Sequence, residues 1–219
     1  MRVLTAAIAL VGALSLSQLS AQGSDLPFSR GLYLAGSGHF STLDGRFDGQ
    51  SAGLKGTEVF YLPKLSVGVG AGGLLGYRGF NWAYEAGGFY KANSSSLAGT
   101  EFDTSTLGFT FDIEWLPFSR INPQPYLTAG VGISTLTIED GSIDGPLTGD
   151  ALYYLGGFRV GLGIEVWMDR HFFLRFQGIY RIDRVVGIQG VTDGERKDLT
   201  ESVNADGYEL SLIIGYIVL

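Results

Sequence analysis

Apolar and polar residues alternate at every second position in several short segments of this chain. The clearest segment is 107–115, where the odd positions are apolar or aromatic and the even positions include Asp112 and Glu114. Segments 158–167 and 172–182 repeat the pattern. A period of two is typical of a β-strand that has one apolar face and one polar face. These three segments are therefore predicted as strands.

Five further segments alternate more weakly, and they bring the number of predicted strands to eight. They are 32–40, 65–77, 80–90, 127–133 and 208–218. An even number of strands closes with neighbouring ends, and a strand of roughly ten tilted residues crosses a bilayer. After the first residues, no apolar run approaches the ~20 residues of a membrane helix. Since only helices and closed barrels satisfy every backbone group in lipid, the pattern predicts an all-β fold, an eight-stranded antiparallel transmembrane β-barrel built as an up-and-down meander.

The connections between the predicted strands alternate in length, which predicts an orientation. Short turns are expected at 78–79, 116–124 and 168–170, whereas long polar loops are expected at 42–64, 92–103, 139–150 and 186–206. Outer-membrane barrels have short periplasmic turns and longer outer loops. We therefore expect both termini on the periplasmic side and four loops outside.

The first residues have the layout of a secretory signal peptide. Met1 and Arg2 give a short positive start, residues 3–16 are mostly apolar, and a polar stretch with small residues follows. This layout predicts a signal peptide over 1–21, with cleavage after Ala21 or, as second choice, after Gly23. The alternative, a single-pass anchor helix, is disfavoured because the apolar run is too short. Residues 22–219 then form one barrel domain.

Composition narrows the classes of function. Charged residues make up 17% of the chain, below the quarter usual for soluble domains, while glycine reaches 34 residues. Cysteine is absent, which excludes disulfides, thiolate metal sites and a lipoprotein attachment site. The net charge of −7 argues against nucleic acid as a partner.

Three of the segments resemble a known family. Segment 125–132 (PYLTAGVG) resembles the fifth strand of the outer-membrane β-barrel domain family, which includes opacity-type and OmpA/OmpX-like small eight-stranded barrels. Segments 156–165 and 173–176 resemble its sixth and seventh strands. The resemblance implies a monomer in the outer membrane whose partners are membrane lipid, lipopolysaccharide and the barrel-assembly machinery. Such barrels usually end in an outward aromatic residue, but here the last outward position is Val218, so the assembly signal is partial.

Inward positions of the predicted strands carry charges. They are Glu85, Lys91, Asp112, Glu114, Arg159, Glu165, Arg175, Arg181 and Glu209. An eight-stranded barrel has room inside only for side chains, and unpaired buried charges are very costly. We therefore predict a network of ion pairs that plugs the lumen, with inward glycines leaving room for the long side chains. A narrow or gated polar path is the alternative interpretation.

Outward aromatic residues suit girdles at the two membrane interfaces. They are Tyr77, Trp82, Tyr84, Tyr90, Trp115 and Tyr180.

Two motifs suggest chemistry but lack the context that it needs. Residues 68–73 match the Gly-x-Gly-x-x-Gly spacing of dinucleotide sites, but a strand follows instead of a helix, so no cofactor is expected.

His39 and Ser41 have the His-x-Ser spacing of barrels that resemble lipid A deacylases, but by parity they face the lumen, which acyl chains do not reach. We therefore expect a hydrogen-bonded lumen histidine and no catalytic residues. No loop has the acid spacing of a calcium site, so no metal site is expected.

The sequence favours a structural or surface-interaction barrel whose surface ligand, if it has one, meets the long loops. The alternative is a narrow porin-like channel or small-molecule conduit. A lipid-modifying outer-membrane enzyme is a remote alternative. A soluble lipocalin-like barrel would need the opposite sidedness, an apolar interior and a polar exterior.

Overall fold

A computed structural model describes residues 30–43, 51–53, 59–97, 100–118, 121–139, 150–190, 196–197 and 203–218. The predicted signal peptide, its cleavage site and Leu219 lie outside these residues. Within the described ranges, no helix is long and apolar enough to cross a membrane.

Eight long strands form a closed antiparallel barrel. They are β1 (Gly31–Ser41), β2 (Gly68–Arg78), β3 (Trp82–Leu97), β4 (Thr100–Trp115), β5 (Gln124–Ile138), β6 (Ala151–Trp167), β7 (Phe172–Gly190) and β8 (Gly207–Ile217). Each strand pairs with its neighbours in sequence, and β8 pairs with β1, where Tyr216 lies opposite Leu34. The predicted eight-stranded up-and-down barrel is therefore confirmed.

Short strands occur only in the connections at one end of the barrel, among the described residues. Ser51–Gly53 pairs with Val59–Tyr61, and Lys64–Leu65 pairs with β3. Arg196–Lys197 and Val203–Asn204 both pair with β7. We call this end of the barrel the loop end and the opposite end the turn end.

The wall has an apolar outer face and a polar inner face over its middle part. Outward side chains such as Phe109 and Phe158 are exposed by 60% and 66%, although they are large and hydrophobic. Outward aromatic residues gather near both ends of this band, and Trp82 contacts Trp115 with ring centroids 6.4 Å apart. This sidedness is the one that a hydrocarbon surrounding requires.

Beyond this band, strands β3 to β7 continue, and on β5 to β7 the sidedness reverses. The predicted loop at 92–103 is wrong, because β3 runs to Leu97 and β4 starts at Thr100. In the same way, β7 continues through the predicted start of a loop at residue 186 and ends at Gly190. On β5, β6 and β7 the buried inward residues of this extension are mostly apolar, such as Leu136, Leu155 and Ile188, whereas on β3 and β4 they include Ser95 and Thr104.

The inner face of the extension packs into an apolar cluster that covers the lumen. Segments 62–65 and 203–205 fold against β5, β6 and β7 there. The cluster, which we call the loop-end cap, contains Leu62, Leu65, Leu136, Ile138, Ala151, Tyr153, Leu155, Val185, Ile188, Val203 and Ala205. Leu62 and Ile188 are completely buried. The cap therefore lies above the polar lumen.

Side-chain hydrogen bonds fix two connections at the turn end. Asn122 donates its amide N–H to the carbonyl oxygen of Trp167 and accepts from the backbone N–H of the same residue, both at 3.0 Å. Asp169 accepts from the backbone N–H groups of His171 and Phe172 at 2.6 and 2.8 Å. Both hydrogen bonds lower the pKa of Asp169, and the bond from the backbone N–H of His171 has the larger effect.

Candidate functional site

The structure places all nine predicted lumen charges inside the barrel, each no more than 7% exposed. Eight of them fall into two clusters at different heights, and Arg181 lies outside both. The turn-end cluster contains Arg78, Glu85, Glu114, Glu165 and Arg175. The mid-lumen cluster contains His39, Lys91, Asp112, Arg159 and Glu209, and the pair formed by Arg181 and Asp183 lies beside it.

Arg175 is the centre of the turn-end cluster. Its Nη1 contacts Glu85 and lies 3.0 Å from Oε1 of Glu114, while its Nε lies 2.6 Å from Oε2 of Glu165. The three carboxylates come from β3, β4 and β6, so one guanidinium connects three strands to β7. Arg175 and Glu165 are completely buried. The guanidinium also lies 4.5 Å from the ring centroid of Phe173, a distance at which cation–π attraction is significant.

Arg78 belongs to this cluster, although the sequence predicts it in the short turn at 78–79. Its Nη1 donates to Oε2 of Glu165 at 2.7 Å, and its Nη2 donates to Gln124. β2 extends to Arg78, so the parity that turns Gly76 inward also turns Arg78 inward. The alternation in the sequence already places Arg78 on the inward face. Because the strand was predicted to end at residue 77, Arg78 was not included in the predicted network.

Aromatic residues close the barrel below these charges. Tyr33, Trp167, Phe173 and Ile217 pack together, and all are at most 4% exposed. The hydroxyl of Tyr33 donates to Glu85, and Nε1 of Trp167 donates to Oε1 of Glu165 at 2.6 Å. The aromatic base and the charged layer above it are therefore one hydrogen-bonded unit.

Glu209 is the centre of the mid-lumen cluster. It accepts from Nζ of Lys91, and its Oε1 lies 3.2 Å from Nδ1 of His39 and 3.5 Å from Nη2 of Arg159. Arg159 also approaches Asp112, with Nε 3.1 Å from Oδ1. Strands β1, β3, β4, β6 and β8 thus contribute to one layer of ion pairs.

Among the ion pairs of the described residues, Arg181 contacts Asp183 and does not join the mid-lumen cluster. Asp183 is 4% exposed, yet it was missing from the predicted network. The seventh strand was predicted to end at 182, whereas β7 continues to Gly190 and carries Asp183 inward.

No family model matches this chain, and no curated protein does. Solved structures do match. The outer membrane protein OprG from Pseudomonas aeruginosa aligns with a TM-score of 0.57 and 18% identity, over 88% of this chain and 98% of that one. Neisserial surface protein A aligns with a TM-score of 0.54 and 11% identity, over 85% and 97%. The chain has the fold of the small eight-stranded outer-membrane barrels.

The similarity in fold agrees with the family resemblance of the predicted fifth to seventh strands. The alignments cover the outer-membrane proteins almost completely, so the barrel alone accounts for the match. At these identities the fold is what the two proteins share with this chain.

His39 is hydrogen-bonded inside this outer-membrane-type barrel, but not to Ser41. Its Nε2 lies 2.7 Å from Oγ of Ser37, and its Nδ1 lies 2.9 Å from Oγ of Ser211. Ser37, His39 and Glu209 thus have the composition of a nucleophilic triad. However, His39 is 8% exposed, and the adjoining cavity has a volume of only about 20 Å³. A substrate with an acyl chain does not fit there.

Two cavities of about 20 Å³ each lie in the lumen of the barrel. One separates the two charged clusters and is lined by Glu85, Gln177 and Arg159, among others. The second lies under the loop-end cap beside Lys91 and Asn93. Among the described residues, Oδ1 of Asn93 is buried without a hydrogen-bond partner. A polar cavity of this size has room for about one water molecule.

Within the part of the chain that the structure describes, no group of three or more His, Asp or Glu side chains is arranged to hold a metal ion. The carboxylates of the lumen instead contact guanidinium, ammonium and imidazole groups. Among the described residues, these contacts pair the charges of the lumen with one another.

Proposed function

We propose that this protein is an integral outer-membrane barrel with a structural or surface-interaction role, closed to solutes. The observation that supports the proposal is that side chains pack inside the barrel at three levels. The aromatic base around Tyr33 and Phe173 closes the turn end, the two charged clusters fill the middle, and the loop-end cap covers the top.

We further propose that both termini face the periplasm and that the loop end faces outward. The extension of β3 to β7 supports this orientation, because it projects beyond the apolar band and carries polar residues such as Ser94, Asp103 and Thr137 on its outer face. A polar wall of this kind suits the sugar-rich outer surface. The turn end has short connections, which suit the periplasmic side.

A surface role requires a rigid platform, and the extension provides one. Its strands are paired on both sides over most of their length, and the cap packs them against segments 62–65 and 203–205. Lipopolysaccharide or a surface ligand would meet the outer face of this platform and the loops attached to it. The barrel-assembly machinery would act on the chain before it closes.

Cell fractionation combined with liposome swelling tests the proposal. The folded protein should be in the outer-membrane fraction and change its gel mobility on boiling. Liposomes containing it should not swell in isotonic neutral sugar, whereas liposomes containing a general porin should. Swelling at a rate comparable to that of the porin would contradict the closed lumen, and a soluble, heat-insensitive species would contradict the membrane location.

A narrow conduit is the second candidate, and the two polar cavities favour it. They interrupt the ion-pair layers near Arg159 and Lys91, and each has room for about one water molecule. If this candidate is correct, replacing Arg159 with Ser should raise proton or ion flux into dye-loaded liposomes. Flux at the level of protein-free liposomes in both the wild type and the variant would exclude it.

A further inference from the structure

The apolar outer wall has a gap where β1, β2 and β3 carry small residues instead of large ones. Gly36 lies opposite Gly73 in the ladder, and Gly73 lies opposite Gly88 on the next strand. Their outward positions therefore form a row without side chains. A groove of about 570 Å³ occupies this part of the wall.

The floor and the sides of the groove are formed by different residues. Gly36, Gly73 and Ala86 form the floor. The sides are formed by Leu34, Leu75, Phe172, Ile214 and Tyr216. A Cβ atom added to Gly36 would have no neighbour within 4 Å, and one added to Gly73 would have its nearest neighbour at 3.8 Å. Packing of the barrel itself therefore does not require glycine at either position.

The groove runs from the turn end towards the middle of the wall. Phe172 opens β7 and Tyr216 is next to the last residue of β8, so these side chains mark its mouth. Gly73 lies five residues along β2 from Arg78, which ends that strand. For a strand tilted by about 45°, five residues rise roughly 12 Å, close to half of the ~30 Å hydrocarbon core. The groove therefore has the depth of one leaflet.

Two exposed arginines lie on the connections at the same end of the barrel as the mouth of the groove. Arg30 is exposed beside the first residue of β1, with its guanidinium 4.6 Å from the ring centroid of Phe80. His171 stacks on Tyr216 with ring centroids 5.7 Å apart, and Arg170 is exposed next to it. Asp169, the acid in this turn, directs its carboxylate at the backbone N–H groups of His171 and Phe172. Arg30 and Arg170 therefore place positive charge at the turn end, at the level of lipid headgroups.

We propose that this groove binds one glycerophospholipid, with an acyl chain along Gly36 and Gly73 and the phosphate near Arg30 and Arg170. The proposal rests on the membrane location proposed above, and in the proposed orientation the lipid belongs to the periplasmic leaflet. A second copy of the chain fits less well. A two-fold dimer would place the groove against itself, and two concave surfaces leave the space between them unfilled.

Native mass spectrometry on the full barrel, reconstituted with a mixture of phosphatidylethanolamine and phosphatidylglycerol, tests this proposal. The double variant Gly36→Leu/Gly73→Leu fills the groove, and Gly38→Leu is the matched control. Gly38 faces outward on the same strand, has no neighbour within 4 Å of an added Cβ, and does not line the groove. The wild type and the control should each retain one phospholipid.

The phospholipid occupancy of the filled variant should be about tenfold lower than that of the wild type. The reason is that the added side chains remove the contacts of roughly two methylene groups of the acyl chain. Equal occupancy in the filled variant and the control would overturn the proposal. A wild-type dimer that the filled variant abolishes would also overturn it, in favour of a second copy.

The headgroup contact is tested separately with Arg30→Ser/Arg170→Ser in the same lipid mixture. This variant should retain less phospholipid than the wild type while binding dodecyl maltoside, a chain without phosphate, as before. An unchanged phospholipid signal would overturn the phosphate contact. Every variant is also tested for a change of gel mobility on boiling, which shows that its barrel is folded. A variant that loses lipid but keeps this change contradicts only the lipid site, whereas a protein without it contradicts the proposed membrane location.

Discussion

Nε of Arg175 lies 2.6 Å from Oε2 of Glu165, and neither side chain has any exposed surface. The same carboxylate accepts from Arg78 at 2.7 Å. Glu165 therefore joins β2, β6 and β7 through the interior of the barrel. A charge pair of this kind stabilises the fold only as long as both partners are present.

Replacing Arg175 with Met should destabilise the barrel strongly. The substitution would leave Glu85, Glu114 and Glu165 facing one another with Arg78 as the remaining cation, and breaking a buried pair costs about 3–5 kcal/mol. Arg184→Met is the matched control, because Arg184 is exposed on the outer face of β7 and its loss should cost under ~0.5 kcal/mol. Urea unfolding in liposomes, followed by tryptophan fluorescence, gives both values. Equal midpoints for the two variants would show that the ion pairs do not stabilise the fold.

Replacing Gly76 with Ala should also destabilise the protein, for a steric reason. A Cβ at Gly76 would overlap the ring of Tyr33, which is completely buried and donates to Glu85. Overpacking of this kind typically costs about 1–3 kcal/mol. Gly38→Ala, with no neighbour within 4 Å, should be tolerated. The same unfolding experiment compares the two variants, and a stable Gly76→Ala barrel would contradict the packing around Tyr33.

Weakening the loop-end cap should loosen the cap without opening the lumen. Leu62→Ala removes a completely buried side chain, so segment 59–65 should lose protection against hydrogen exchange. Val186→Ala, at a position that is 57% exposed, should leave exchange unchanged. Mass spectrometry after deuterium labelling reads out both. Liposomes containing the Leu62→Ala protein should remain impermeable, because the charged clusters lie below the cap; sugar-induced swelling would show that the cap alone closes the barrel.

Asp169 should titrate below the ordinary aspartate value. Its carboxylate accepts from the N–H groups of His171 and Phe172, which lowers its pKa. Because the folded-state pKa is depressed, this contribution to stability is present above the unfolded-state pKa and disappears as the pH falls through the folded-state pKa. NMR titration of Asp169 measures the midpoint. A midpoint at or above the ordinary aspartate value would contradict the hydrogen bonds at this turn.

The sequence predicted the membrane-spanning part of the fold well, because lipid outside and charge inside produce a strict alternation. Strand β4 is the clearest case, with Phe109 and Phe111 outward and Asp112 and Glu114 inward. The extension was missed because the alternation changes sign there. Leu136 and Tyr153 point inward, so a pattern that requires apolar residues to point outward does not predict strands at these positions.

Two charged residues of the lumen could not be predicted from the alternation alone. Arg78 and Asp183 both lie just beyond predicted strand ends, and both are buried partners of other charges. Strand ends depend on how neighbouring strands pair, which a single segment does not reveal. The division into two clusters also depends on the stagger between strands, so the partners of Arg175 and Glu209 became clear only from the register.

The closed lumen is the central claim, and single-channel recording in planar bilayers tests it most directly. Purified, folded protein at voltages of either sign should give no conductance steps above the bare bilayer, because the aromatic base, the two charged clusters and the loop-end cap block the path in series. Discrete, reproducible conductance steps that change when Arg175 or Arg159 is replaced would show that ions pass through the barrel, and would contradict this account.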